Sequence, residues 1–196
     1  MFRNVLERTL WSVAVIALAT YALVRTETWL YRSYLDWQFS EMLTAPVISK
    51  YSAPSAALRR AAVRVTGRPM GRLEIPSIGL AAVYLEGADD HTLKRGVGHV
   101  PGTALPGEFG NAVLSGHRDT FFRPLEKIRL GDRIRILTLD GNYDYAVEAI
   151  RIVDPDEGIV LRDFNVSVLT LVTCYPFWTL GPAPKRFVVH ATLVSE

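Results

Sequence analysis

From Gly71 onward the chain breaks into short apolar segments separated by Gly, Pro and Asp. "GRLEIPSIGL" alternates Leu73 and Ile75 with polar neighbours, and Pro76 should end that strand or hold it at an edge. "NAVLSGH" reads as a strand leading to His117, and "DRIRILTL" sets Ile134 and Ile136 against Arg133 and Arg135 on the other face. "DYAVEAIRIV" starts with Tyr145, Val147 and Ala149 in phase, then shifts to Ile150 and Ile152. Such a change of phase predicts a bulge or corner, as in a closed barrel. "VSVLTLVTC" and "RFVVHATLV" complete the set, and only Asp119 to Ile128 reads as helical in this half. Six or more short strands with few helices predict an all-β sandwich or barrel.

The first third has a different texture. Leu10 to Val24 is an uncharged apolar run of 15 residues, preceded by Arg3 and Arg8 and closed by Arg25. The run is shorter than the roughly 20 residues that span a bilayer comfortably. Trp29, Tyr31, Tyr34 and Trp37 follow it like an interfacial aromatic belt. The expectation is an uncleaved signal anchor within residues 1–30. It implies a single-pass protein of the cell membrane, with its N-terminus cytoplasmic and the rest outside the cytoplasm. Residues 31–70 read as an interfacial helix and a proline-interrupted linker, and residues 71–196 as the β-domain.

Composition narrows the chemistry. The net charge of +2 is spread along 196 residues with no basic run, so a nucleic-acid partner is not expected. One cysteine excludes an intramolecular disulfide and any zinc site with paired thiolates. His91, His99, His117 and His190 show no metal-ligand spacing, so neither a metal nor another cofactor is expected. The acidic "VDPDEG" segment matches no EF-hand loop and reads as a solvated turn.

That one cysteine, Cys174, stands at a strand end where Tyr175-Pro176 begins a loop. A buried core thiol and a nucleophile are both consistent with this position. A lone thiol with pKa of about 8.5 is only a few per cent thiolate at neutral pH, so a nucleophile needs a nearby histidine or cation. His117, straight after a strand, is the best partner; His190 lies within an alternating strand and reads as structural. Arg186 opens the strand after the cysteine loop, either as a solvated residue or as a fixed cation for a developing oxyanion.

"SGHRDTFF", "TLVTC" and "APKRFVV", in this order along the chain, closely resemble the sortases. The similarity extends over roughly Arg72 to Leu193, and the "TCYPF…GPAPKRFVV" ending is most similar to the class D type. The resemblance implies a closed eight-stranded β-barrel with short helices, preceded by an N-terminal membrane helix. It implies Cys174 as nucleophile, His117 as proton donor to the leaving amine, and Arg186 as the residue that steadies substrate and oxyanion. Thr173 would line the substrate pocket, and His99 in "GHVPGT" matches a recurrent feature assigned here to substrate binding. The implied activity is cleavage of an LPxTG-like C-terminal sorting signal at its Thr–Gly bond through a thioacyl-enzyme. The implied partners are an exported substrate protein, an amine acceptor (peptidoglycan stem peptide or pilin lysine) and the lipid bilayer. A cysteine hydrolase of the same fold and a non-catalytic surface-binding barrel are the alternatives.

Overall fold

Alternation along the chain is realised as eight strands, with turns where the glycines and prolines fall. The computed structural model describes residues 7, 8, 10–22, 26, 65–158, 164–179 and 181–194. The strands are β1 (Pro69–Ile75), β2 (Leu80–Glu86), β3 (Val97–His99), β4 (Gly110–Ser115), β5 (Arg133–Thr138), β6 (Asn142–Val153), β7 (Ser167–Tyr175) and β8 (Lys185–Leu193). They close into a barrel in the order β1-β2-β3-β4-β7-β8-β6-β5. The β2–β3 and β4–β7 pairs are parallel and the others antiparallel.

Period-2 patterning decides what fills the barrel. Leu73, Ile75, Ile134, Ile136, Leu169, Leu171 and Val189 are fully buried in one cluster with Tyr84, Tyr145 and Phe122. Arg133 and Arg135 point outward as expected, and Arg135 Nε donates to Asp144 Oδ1 at 3.0 Å. The phase change in β6 is a register shift between Val147 and Ala149. Pro76 ends β1 and starts a 3-10 turn, Pro76–Ile78.

Two local readings change. Within Asp119 to Ile128, the regular helix is only a 3-10 segment, Arg123–Lys127. A second helix, Asp90–Arg95, was not read from the pattern because its six residues are too few to show a helical period. It is specified instead by Asp89, whose carboxylate caps the His91 and Thr92 amides.

The expected membrane helix is corrected. No helix among the described residues is long and apolar enough to cross a membrane. Among the described residues before the barrel, the longest continuous helical stretch, 10–22, spans roughly 20 Å at about 1.5 Å per residue. A hydrocarbon core is about 30 Å thick. The single-pass membrane placement rested on that helix and is corrected with it, and no helix among the described residues supports the bilayer as a partner. The interfacial helix expected after residue 30 lies outside the described residues.

Candidate active site

Three strand ends meet at one mouth of the barrel. In β7, Leu169 and Leu171 face the interior cluster, whereas Val172 belongs to a separate cluster with Val113, Val153 and Val188. Strand alternation therefore puts Cys174 on the outer face, on the side of Val172. In β8, Phe187 and Val189 face inward, so Arg186 lies outward with Val188. Cys174 and Arg186 are direct register partners across the β7–β8 ladder. Residues opposed in this way hold their Cβ atoms about 4.5–5.5 Å apart.

His117 comes to the same level through the parallel β4–β7 pair. Ser115 is the register partner of Val172. The ladder is then extended by two bonds: the Gly116 amide donates to Val172 O at 3.2 Å, and Thr173 Oγ1 donates to Gly116 O at 2.7 Å. Two residues beyond Ser115 is His117, and two beyond Val172 is Cys174. Gly116 is needed here because a Cβ on it would stand 2.8 Å from the buried ring of Phe122. Cys174, His117 and Arg186 are all partly exposed. Arg186 Nη1 makes only long bonds, to Ala183 O at 3.4 Å and Lys185 O at 3.2 Å, and no ion pair with it occurs among the described residues. A cation held this loosely retains donors for an incoming group.

Next to this mouth, Arg151, Ile152, Val153, Glu157 and Gly158 line an open groove at the end of β6, where Val153 is the register partner of Arg186. A more enclosed cavity of about 220 Å³, between Met70, Tyr84, Leu105 and Tyr143, lies by the β5–β6 turn. It contains none of the candidate residues. Among the described residues no cluster of His, Cys, Asp and Glu could hold a metal ion.

Thr173 is 3% exposed, and its hydroxyl serves the β4–β7 tie. His99 is 2% exposed and joins β3 to the following loop. Its Nε2 faces Ala104 O at 2.9 Å and Thr103 Oγ1 at 3.1 Å, and Thr103 already donates to Val100 O. Both neighbours of Nε2 therefore accept, so Nε2 carries a proton. Nδ1 lies 2.8 Å from Oε2 of Glu86, which is itself buried, and neither ring nitrogen is left for a ligand.

His190, read as structural, is 9% exposed on β8. Thr170 Oγ1 donates to Asn111 Oδ1 at 2.7 Å and sits 2.9 Å from His190 Nδ1, which must then be the protonated ring nitrogen. Nε2 is buried without a hydrogen-bond partner, and Phe164 packs edge-on against the ring. Burial, with a smaller effect from the Arg151 charge, lowers the His190 pKa below its ordinary 6.5.

Sequence reasoning missed Arg118 and Arg123, both of which reach the loop between β7 and β8. Arg118 Nη1 donates to Pro176 O at 2.9 Å, and its Nη2 to Thr179 O at 2.6 Å and Gly181 O at 2.7 Å. Arg123 Nη1 donates to Phe177 O at 2.8 Å, and its guanidinium lies 3.2 Å from the Trp178 ring centroid. Trp178 Nε1 in turn donates to Glu126. The available signal was a loop rich in Pro and Gly, whose carbonyls lack ladder partners and require donors from elsewhere.

Comparison with known proteins gives the class. Residues 73–194 match the Sortase domain, and the chain belongs to the sortase family, a class of cysteine transpeptidases. It is 40% identical over 131 residues to Sortase D of Bacillus subtilis, covering 66% of this chain and 66% of that protein. It is 30% identical over 130 residues to Sortase A of Bacillus anthracis, covering 64% of this chain and 60% of that one. The chain thus spans just under two thirds of the length of these relatives. Among solved structures it resembles a Clostridium perfringens Sortase D5 transpeptidase, with a TM-score of 0.70 and 26% identity over 84% of this chain and 99% of that one.

Proposed function

We propose that this sortase is a cysteine transpeptidase that cleaves an LPxTG-like sorting signal and joins the released acyl group to an amine. The observation that carries this reading is the register pairing of Cys174 with Arg186, with His117 tied to their level through Thr173 and Gly116. The Cys174 thiolate attacks the Thr carbonyl of the Thr–Gly bond, and the negative charge that develops on oxygen is met by the Arg186 guanidinium. The C–N bond breaks as the His117 imidazolium gives its proton to the departing glycine amine, leaving a thioester on Cys174. An acceptor amine then attacks the thioester carbon. The C–S bond breaks, an amide forms, and His117 takes up the proton that the amine loses. Covalent catalysis thereby divides one difficult acyl transfer into two steps.

The test is incubation of the protein with LPxTG-type peptides, with and without glycine-type or diaminopimelate-type amines. The expected product is the new amide, rising with amine concentration at the expense of free acid. Free acid alone at every amine concentration would identify a hydrolase instead. A folded protein whose Cys174 resists alkylation would contradict catalysis altogether.

A further inference from the structure

Arg118 does not line the open groove, yet its guanidinium gathers three backbone carbonyls of the loop joining Cys174 to Arg186. Those carbonyls, of Pro176, Thr179 and Gly181, belong to a segment that lies between the β7–β8 ladder residues. Nothing in the ladder fixes the path of that segment. The donors come instead from Arg118, the residue after His117, and from Arg123, which takes Phe177 O and covers one face of Trp178. The far half of the same loop supplies Ala183 O, which with Lys185 O at the start of β8 accepts long bonds from Arg186 Nη1, at 3.4 Å and 3.2 Å.

We propose that Arg118 is a positioning residue: it clamps the loop between Cys174 and Arg186 to the His117 segment and so holds Arg186 over the thiol. This inference rests on the transpeptidase reading for its kinetic consequences only. Arginine suits the task because two terminal nitrogens on one rigid plane address separate carbonyls, which a lysine ammonium at a single point does not reproduce. Displacement of a catalytic group by about 1 Å costs up to roughly 100-fold in rate. Loss of the clamp therefore acts on turnover and leaves binding of the peptide largely intact.

The experiment uses the full chain and its Arg118→Ala, Arg118→Lys, Arg123→Ala, Arg186→Ala and Arg118→Ala/Arg186→Ala variants. Thioacylation by an LPxTG-type peptide is followed alongside hydrogen exchange of the segment between residues 176 and 184. Arg118→Ala should lower kcat by about 10- to 100-fold with KM within about twofold, and Arg118→Lys should recover little of it. Exchange should quicken in the loop and not in the barrel strands, with Arg123→Ala shifting it the same way. Because Arg118 acts through Arg186, the double variant should be no slower than Arg186→Ala alone.

Fully additive losses in the double variant, or a drop in kcat with unchanged loop exchange, would overturn the clamp. Faster exchange throughout the barrel would mean that Arg118 serves general stability and would also overturn it. If the unaltered protein forms no thioacyl adduct, the reaction reading fails. Loop exchange still decides the clamp.

Discussion

Replacing Thr173 by valine keeps its volume and removes one hydroxyl. That hydroxyl is 3% exposed with its residue and donates to Gly116 O at 2.7 Å, the last tie between β7 and the strand end that carries His117. A buried acceptor that loses its donor costs about 1–3 kcal/mol. Thr173→Val should therefore lower unfolding stability by roughly that amount. Part of the loss should appear in catalysis, since the His117 segment is freer relative to Cys174. A deficit of about 1.4 kcal/mol in transition-state stabilisation corresponds to a tenfold fall in kcat/KM.

Urea unfolding followed by circular dichroism reads the first effect, and peptide thioacylation kinetics the second. KM should change little, because Thr173 is buried beneath the mouth. Thr173→Ser is the control. It keeps the donor and deletes one methyl, costing about 0.8 kcal/mol of burial, and should retain most of the activity. A valine variant as active and stable as the parent, or a serine variant as slow as the valine one, would refute the reasoning.

Gly116→Ala places a methyl 2.8 Å from the Phe122 ring. It should destabilise the barrel by about 1–3 kcal/mol, seen as a lower thermal midpoint, with activity reduced as His117 moves. His190 is held neutral in the fold by burial, its pKa lying below the ordinary 6.5. Below that pH the unfolded chain binds a proton that the folded one does not, so stability falls as pH drops from 6.5 toward the folded pKa. Compared with His190→Asn, which keeps a donor toward Thr170, the wild type should lose up to about 1.4 kcal/mol per pH unit in urea midpoints converted to free energy. Glu86→Gln removes the carboxylate beside His99 Nδ1. Weakening this buried hydrogen bond should cost about 1–3 kcal/mol in unfolding experiments.

Much of the barrel was legible because alternation writes burial directly into a strand, as with Ile134 and Ile136 against Arg133 and Arg135. The β6 bulge was legible for the same reason: an extra residue shifts the phase on the page. The parallel β4–β7 pairing was not, because Ser115 and Val172 are far apart in sequence and no local pattern states their register. The Cys174–Arg186 pairing was only a topological expectation, since a loop of that length allows several registers. Arg118 escaped notice because its partners are main-chain carbonyls, which carry no residue code. The apolar run near the N-terminus was read as an anchor from its composition and flanking arginines, and no helix among the described residues is long and apolar enough to cross a membrane.

The most direct test of the central claim is the intact mass of the protein during turnover of an LPxTG-type peptide. The expected result is an adduct equal to the acyl part of the peptide, released by hydroxylamine, mapped to Cys174 and absent from a folded Cys174→Ala variant. Product formation by that variant, or an adduct on any other residue, would contradict the account.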